Sequence, residues 1–252
     1  MPAQDRKAKF DAAIAKHEQA MDKRRAVVKS FYRVRQALGW LGFMLPVLLM
    51  VSGMLARTGV EPSISDFFHT VSRDIFVGIM FSIGTFLIVY EGYDRQPDET
   101  IADNWLATIA GISVFGVALF PNESPTGEIA SVVQQTVGVG LSPLFHYSCA
   151  FVFFYCMGHF CMFKFSKTSD KPRRKIYRGC GWAIIFSCAG LFFGSIAKKM
   201  GPPDVSAFIV DFDVIFWVEV VGVWAFSLAW LVKGRADQEM LAVAPTVPRQ
   251  TG

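Results

Sequence analysis

No C-x-x-C pair, H-E-x-x-H helix, glycine-rich phosphate loop or G-x-S-x-G elbow occurs in this sequence, which removes the enzyme classes that short motifs reveal. Cysteine is sparse. All five (Cys149, Cys156, Cys161, Cys180 and Cys188) lie within or at the edge of apolar runs and none in a hydrophilic loop, a placement that excludes a disulfide framework or a thiolate metal site. Basic residues are absent from Pro121 to Ser142. The net charge of +4 comes from cationic clusters beside apolar segments, which suits anionic lipid headgroups at a cytoplasmic face and gives no nucleic-acid footprint.

What the chain has in abundance is apolar surface. Its 252 residues are 52% hydrophobic and 14% aromatic, with a mean hydropathy of +0.37, too apolar for an ordinary soluble domain of that length. The first 36 residues are charged, and no small-residue cleavage site follows the first apolar run, so that run is expected to remain as an anchor. About 20 apolar residues make a helix that crosses a bilayer. Six such runs stand out: Ala37–Ala56, Asp74–Tyr93, Asn104–Phe120, Pro143–Phe165, Cys180–Ala197 and Val214–Val232. They are continuous and lack a two-residue alternation, so helices are expected rather than a barrel. The fold class is therefore all-α, a polytopic transmembrane bundle of six helices with an N-terminal cytoplasmic amphipathic helix.

Lysine and arginine set the orientation. They crowd residues 1–36, then Lys167, Lys171, Arg173, Arg174, Lys175 and Arg178, then Lys233 and Arg235. Those regions are expected in the cytoplasm and Pro121–Ser142 outside, which describes an integral, multi-pass protein of a bacterial inner membrane with both termini cytoplasmic. The domain reading is 1–36 as a cytoplasmic amphipathic arm, 37–233 as the six-helix domain and 234–252 as a disordered cytoplasmic tail. In the arm, Phe10, Ile14, His17, Met21, Val28 and Phe31 recur at helical spacing. A solvated lead-in, an interfacial helix and a partner-docking arm are all open readings of it.

Small residues mark faces. Ala183, Ser187, Gly190 and Gly194 share one side of the fifth run, a pattern for close helix packing within the bundle. Asp74, Gly78, Ser82 and Thr85 share a side of the second, expected to look into the bundle.

Ionisable groups at membrane depth are functional candidates by default. Ser65, Asp66, His69, Arg73 and Asp74 lead into the second run, His146 opens the fourth after Ser142-Pro143, and Glu219 lies well inside the sixth. Asp211 and Asp213 are expected to come with it from the outer half of the same span. Three helices are thus expected to bring histidine and carboxylate groups to one outer face. The plain alternatives are helix-dipole partners for Asp74, Asp211 and Asp213, a snorkelling Arg73 and interfacial histidines. Glu219 needs a partner or a proton, and His146 or Arg73 is the first expected.

Pro62-Ser-Ile-Ser-Asp66, Arg73-Asp-Ile-Phe76, the run from Asn104-Trp-Leu-Ala to Ala118-Leu-Phe-Pro121, and His146-Tyr-Ser-Cys-Ala150 together resemble a group of bacterial six-span membrane proteins with no assigned activity. More distantly, they resemble the DRAM/Sfk-type six-span family of eukaryotes. The likeness covers roughly residues 40–200. The eukaryotic family has a similar P-x-I-S-D stretch and a histidine opening the fourth span, matched here by His146, whereas Phe68-His69 stands where those proteins tend to have glycine. The resemblance implies a membrane protein of lipid handling, lipid organisation or regulation of other membrane proteins, without established catalytic residues.

A second likeness, Ser65-x-x-x-His69, is to a fragment of the pattern in alkaline-ceramidase-type membrane hydrolases, whose serine, aspartate and three histidines gather around zinc. The paired histidines expected on a late helix are absent here. The first functional expectation is accordingly a non-enzymatic protein that binds membrane lipid or a partner membrane protein through the outer polar cluster, with no cofactor. The alternative is a metal-dependent lipid hydrolase with zinc on His69, His146 and Asp66.

Overall fold

The computed structural model describes residues 3–243 except 94, 125, 130 and 168. Among the described residues there is no strand, and eight α-helices follow one another: α1 (Ala3–Ala56), α2 (Arg73–Ile88), α3 (Asp103–Leu119), α4 (Val132–Val137), α5 (Ser142–His159), α6 (Lys171–Met200), α7 (Pro203–Asp211) and α8 (Val214–Val243). A 3-10 turn, Ser65–His69, precedes α2, and a π-helical turn, Phe160–Phe165, extends α5. Four helical stretches are long and apolar enough to cross a membrane: Tyr32–Ala56, Ser142–Phe165, Lys171–Met200 and Val214–Ala236. At 16 and 17 residues, α2 and α3 extend about 25 Å each, short of the roughly 30 Å hydrocarbon core.

These six long helices form a closed ring. Neighbours in the chain pack on one another (α1 on α2, α2 on α3, α3 on α5, α5 on α6, α6 on α8), and α1 packs on α8 to complete the circle. Close approach at the seams depends on missing side chains. A Cβ on Gly111 of α3 would stand 2.7 Å from the Gly84 carbonyl of α2, and one on Gly42 of α1 would stand 2.5 Å from Ser227 Oγ of α8. Gly190 and Gly194 face Val218 and Ile215 of α8, so the small-residue face of α6 is a seam inside the bundle, as its spacing suggests. Aromatic rings fill the middle: Trp230 of α8 sits edge-on to Tyr90 at 5.0 Å and to Phe165 at 5.3 Å.

Three expectations are corrected. The Asp74, Gly78, Ser82, Thr85 side of α2 does not look into the bundle; the buried side is Phe76, Met80, Ile83, Gly84 and Leu87. Ser82 and Thr85 return their hydroxyls to the Gly78 and Phe81 carbonyls one turn back, so they need no partner from another helix. The tail does not begin as coil at 234, because α8 continues to Val243; residues 244–252 lie outside those described. Asp211 and Asp213 are not part of the last long helix: Asp211 closes α7, and Asp213 sits in the joint before α8 with φ +48°.

The arm is helical and continuous with α1. Phe10, Ile14 and His17 are exposed and Met21 is half-buried, while the side chains of Val28 and Phe31 lie outside the described set.

Candidate functional site

The described residues of 57–72, 120–141 and 201–213 lie at one end of the ring, the end that the charge pattern assigns to the outside. There the 3-10 turn pushes into the ring as a plug. Ile64, Phe67 and Phe68 are buried, and apolar burial of this kind is worth about 1.5–3 kcal/mol per side chain. Burial also strips water from the turn's backbone, so its polar groups must find partners inside. The Ile64 N–H donates to Glu219 Oε2 at 2.5 Å, and the Phe216 N–H of α8 donates to the Pro62 carbonyl at 3.0 Å. Glu219 is therefore a hydrogen-bond acceptor for the plug, and the expected pairing with His146 or Arg73 is not made.

His146, 2% exposed, joins three segments. Its Nδ1 lies 2.7 Å from the Phe120 carbonyl and its Nε2 lies 2.9 Å from Ser65 Oγ. A carbonyl only accepts, so Nδ1 carries the proton in that bond, and the neutral ring accepts the Ser65 hydroxyl at Nε2. Beside it Asn122 bridges the other two polar residues of the turn: its Nδ2 donates to Asp66 Oδ1 at 2.5 Å, and its Oδ1 lies 3.2 Å from His69 Nε2. Glu61 stands at the rim, where burial and then the charges of Asp66 and Asp213 hold its carboxyl above the ordinary value.

The seven predicted site residues thus divide. Ser65, Asp66, His69, His146 and Glu219 form the plug network. Arg73 and Asp74 stand outside it, on the rim of a lateral groove of about 620 Å³. Val77, Gly78, Ala118, Leu119 and the start of α4 at Ser131–Val133 make its walls, with Phe68 among its lining residues. The Arg73 guanidinium lies over the Phe68 ring, 4.1 Å from the centroid, a cation–π contact that fixes the side chain by its flat face. Asp74 is exposed.

The chemistry available follows from these distances. A serine on a histidine whose second nitrogen is held by an acceptor is an arrangement that activates hydroxyls. Here the cavity beneath Ser65, shared with Glu219 and otherwise lined by apolar side chains such as Met80, Phe153 and Phe226, is about 50 Å³. That is room for a few waters and far below the roughly 300–1,000 Å³ of a substrate pocket, so the pair reads as a pin for the plug. The zinc set is not assembled either. Both ring nitrogens of His146 are engaged, Asp66 and His69 are turned to Asn122, and no group of three ligating side chains among the described residues could hold a metal ion.

At the opposite end lies a network that sequence reading passed over. Lys164, on the π-helical turn, is 4% exposed and reaches Glu99 Oε2 at 2.8 Å, Asp103 Oδ1 at 3.1 Å and the Ile101 carbonyl at 2.6 Å. Close by, Arg35 donates to the Tyr90 hydroxyl at 2.7 Å, and Lys233 lies over the Tyr93 ring at 4.9 Å. The available signal was positional: Lys164 falls inside the fourth apolar run, and a lysine at membrane depth has to be paired. Asn122 was passed over as well; it sits immediately past the third run, where an amide is poised to fold back on the bundle.

No protein-family model, curated protein or solved structure matches the chain.

Proposed function

We propose that this chain is a six-span, non-enzymatic integral membrane protein of a bacterial inner membrane, both termini cytoplasmic, that binds a phospholipid at its outer face. The carrying observation is the groove between α2 and α3. It is charged at one end, through Arg73 and Asp74, and apolar along its walls, through Val77, Ala118 and Leu119, the order in which a phospholipid presents headgroup and chains. Its volume falls within the usual range for small-molecule sites. Arginine is the side chain best shaped for a phosphate, and stacking on Phe68 organises it in advance. The plug gives the groove a firm back wall, because Phe68 belongs to the turn that His146 and Glu219 hold in place. Six spans are supported by the ring: without α2 and α3 it does not close, although each is shorter than the bilayer core.

The test is native mass spectrometry of gently extracted protein. Arg73→Ala removes the phosphate partner. Gly78→Leu fills the groove at a position where an added Cβ meets nothing within 4 Å, so the fold tolerates it. Both variants are expected to lose most of the co-purifying phospholipid. Retention equal to the wild type in both would sink the proposal.

A further inference from the structure

Resting on that lipid reading, we infer that the groove selects a zwitterionic phospholipid whose headgroup ends in a primary ammonium, with the phosphate on Arg73 and the ammonium on Asp74. The two residues are neighbours in the chain, about 3.8 Å apart at Cα, and both line the rim of the same groove. One positive and one negative side chain sum to zero, the charge of a phosphoethanolamine headgroup.

Alternatives of the same size fit less well. A phosphoglycerol headgroup offers Asp74 no cation, and a phosphoserine headgroup sets a carboxylate beside its ammonium, which repels Asp74. A choline headgroup has a cation without N–H donors. Such groups are bound by aromatic faces, and the Phe68 face is covered by the Arg73 guanidinium. Asp74 is an acceptor, exposed in the first turn of α2, and makes no ion pair with a described residue. Its competing role is to favour the positive end of the helix dipole. That role predicts a stability change on neutralisation and no change in lipid choice.

The experiment uses the full chain, delipidated and exposed to an equimolar mixture of phosphatidylethanolamine, phosphatidylcholine and phosphatidylglycerol with identical acyl chains. Bound lipid is counted by native mass spectrometry. The wild type is expected to retain the ethanolamine lipid about two- to fivefold over either competitor, the scale of one exposed charge pair. Asp74→Asn should bring the three to parity, and Asp74→Lys should turn the preference to the glycerol lipid. Equal retention of all three by the wild type, or an ethanolamine preference unchanged in Asp74→Asn, overturns the inference. Loss of lipid specificity in Asp74→Asn with total binding intact separates this from the broader reading, which fails only if Arg73→Ala and Gly78→Leu bind as much total lipid as the wild type.

Discussion

Replacing Lys164 with methionine should destabilise this protein more than most single substitutions, and the distances say why. Its ammonium lies 2.8 Å from Glu99 and 3.1 Å from Asp103, with the three side chains only 4%, 11% and 6% exposed. Methionine keeps the volume and removes the charge, which leaves two carboxylates and the Ile101 carbonyl facing one another without a cation between them, although Glu99 keeps the Gln96 N–H and Asp103 the Tyr93 N–H. Breaking a buried ion pair from one side costs about 3–5 kcal/mol. Removing all the charges together, in Lys164→Met/Glu99→Gln/Asp103→Asn, should recover most of that, because no buried charge is left uncompensated.

The pH dependence gives a second check on the same network. Burial raises the Glu99 carboxyl, but the hydrogen bond from Lys164, the Gln96 N–H and the charges of Lys164 and Lys167 outweigh it and leave it below its ordinary value of 4.5. A depressed folded value stabilises above the unfolded one, so this contribution is present at neutral pH and is lost as pH falls through and below about 4.5. In Lys164→Met the two contributions of Lys164 are lost and only the Gln96 N–H and the charge of Lys167 still oppose burial, so the carboxyl rises, and its protonation on acidification relieves the repulsion. The deficit of the variant should therefore be largest near neutral pH and shrink toward about pH 5. Thermal denaturation in detergent, followed by size exclusion of heated samples at both pH values, measures it. A variant as stable as the wild type at neutral pH, or a triple variant no better than the single, would refute the reasoning.

Glu219→Gln should melt close to the wild type, since an amide oxygen still accepts the Ile64 N–H, whereas Glu219→Leu should lose about 1–3 kcal/mol for the stranded donor; equal melting of the two would show that the bond does not hold the plug. Gly111→Leu should fail to give a monodisperse protein because its Cβ would meet the Gly84 carbonyl and Ile88 Cγ1 at 2.7 Å, a clash that α2 and α3 relieve only by separating; normal elution would contradict the glycine seam. For orientation, a Glu128→Cys variant in intact cells should react with a membrane-impermeant maleimide, and Lys171→Cys should react only after permeabilisation, with the wild type as blank. The reverse pattern would invert the proposed topology.

Much of this architecture was legible in the sequence. Each of the six apolar runs lies within or largely along a long helix, because length and hydropathy are local properties and an apolar backbone must satisfy its own hydrogen bonds. The segregation of basic loops from Pro121–Ser142 was legible for the same reason. Rotation of a helix about its axis was not: the polar side of α2 looked like an inward face until Phe76, Met80, Ile83 and Leu87 were seen to be buried in its place. Nor was the choice of partners. Ser65 and His146 are 81 positions apart and Ile64 and Glu219 are 155 apart, and which of them meet depends on how far the turn between α1 and α2 sinks into the ring. Tertiary packing alone separated the predicted cluster into a pinned plug and an open groove, since depth and facing are set by neighbours that local composition does not name.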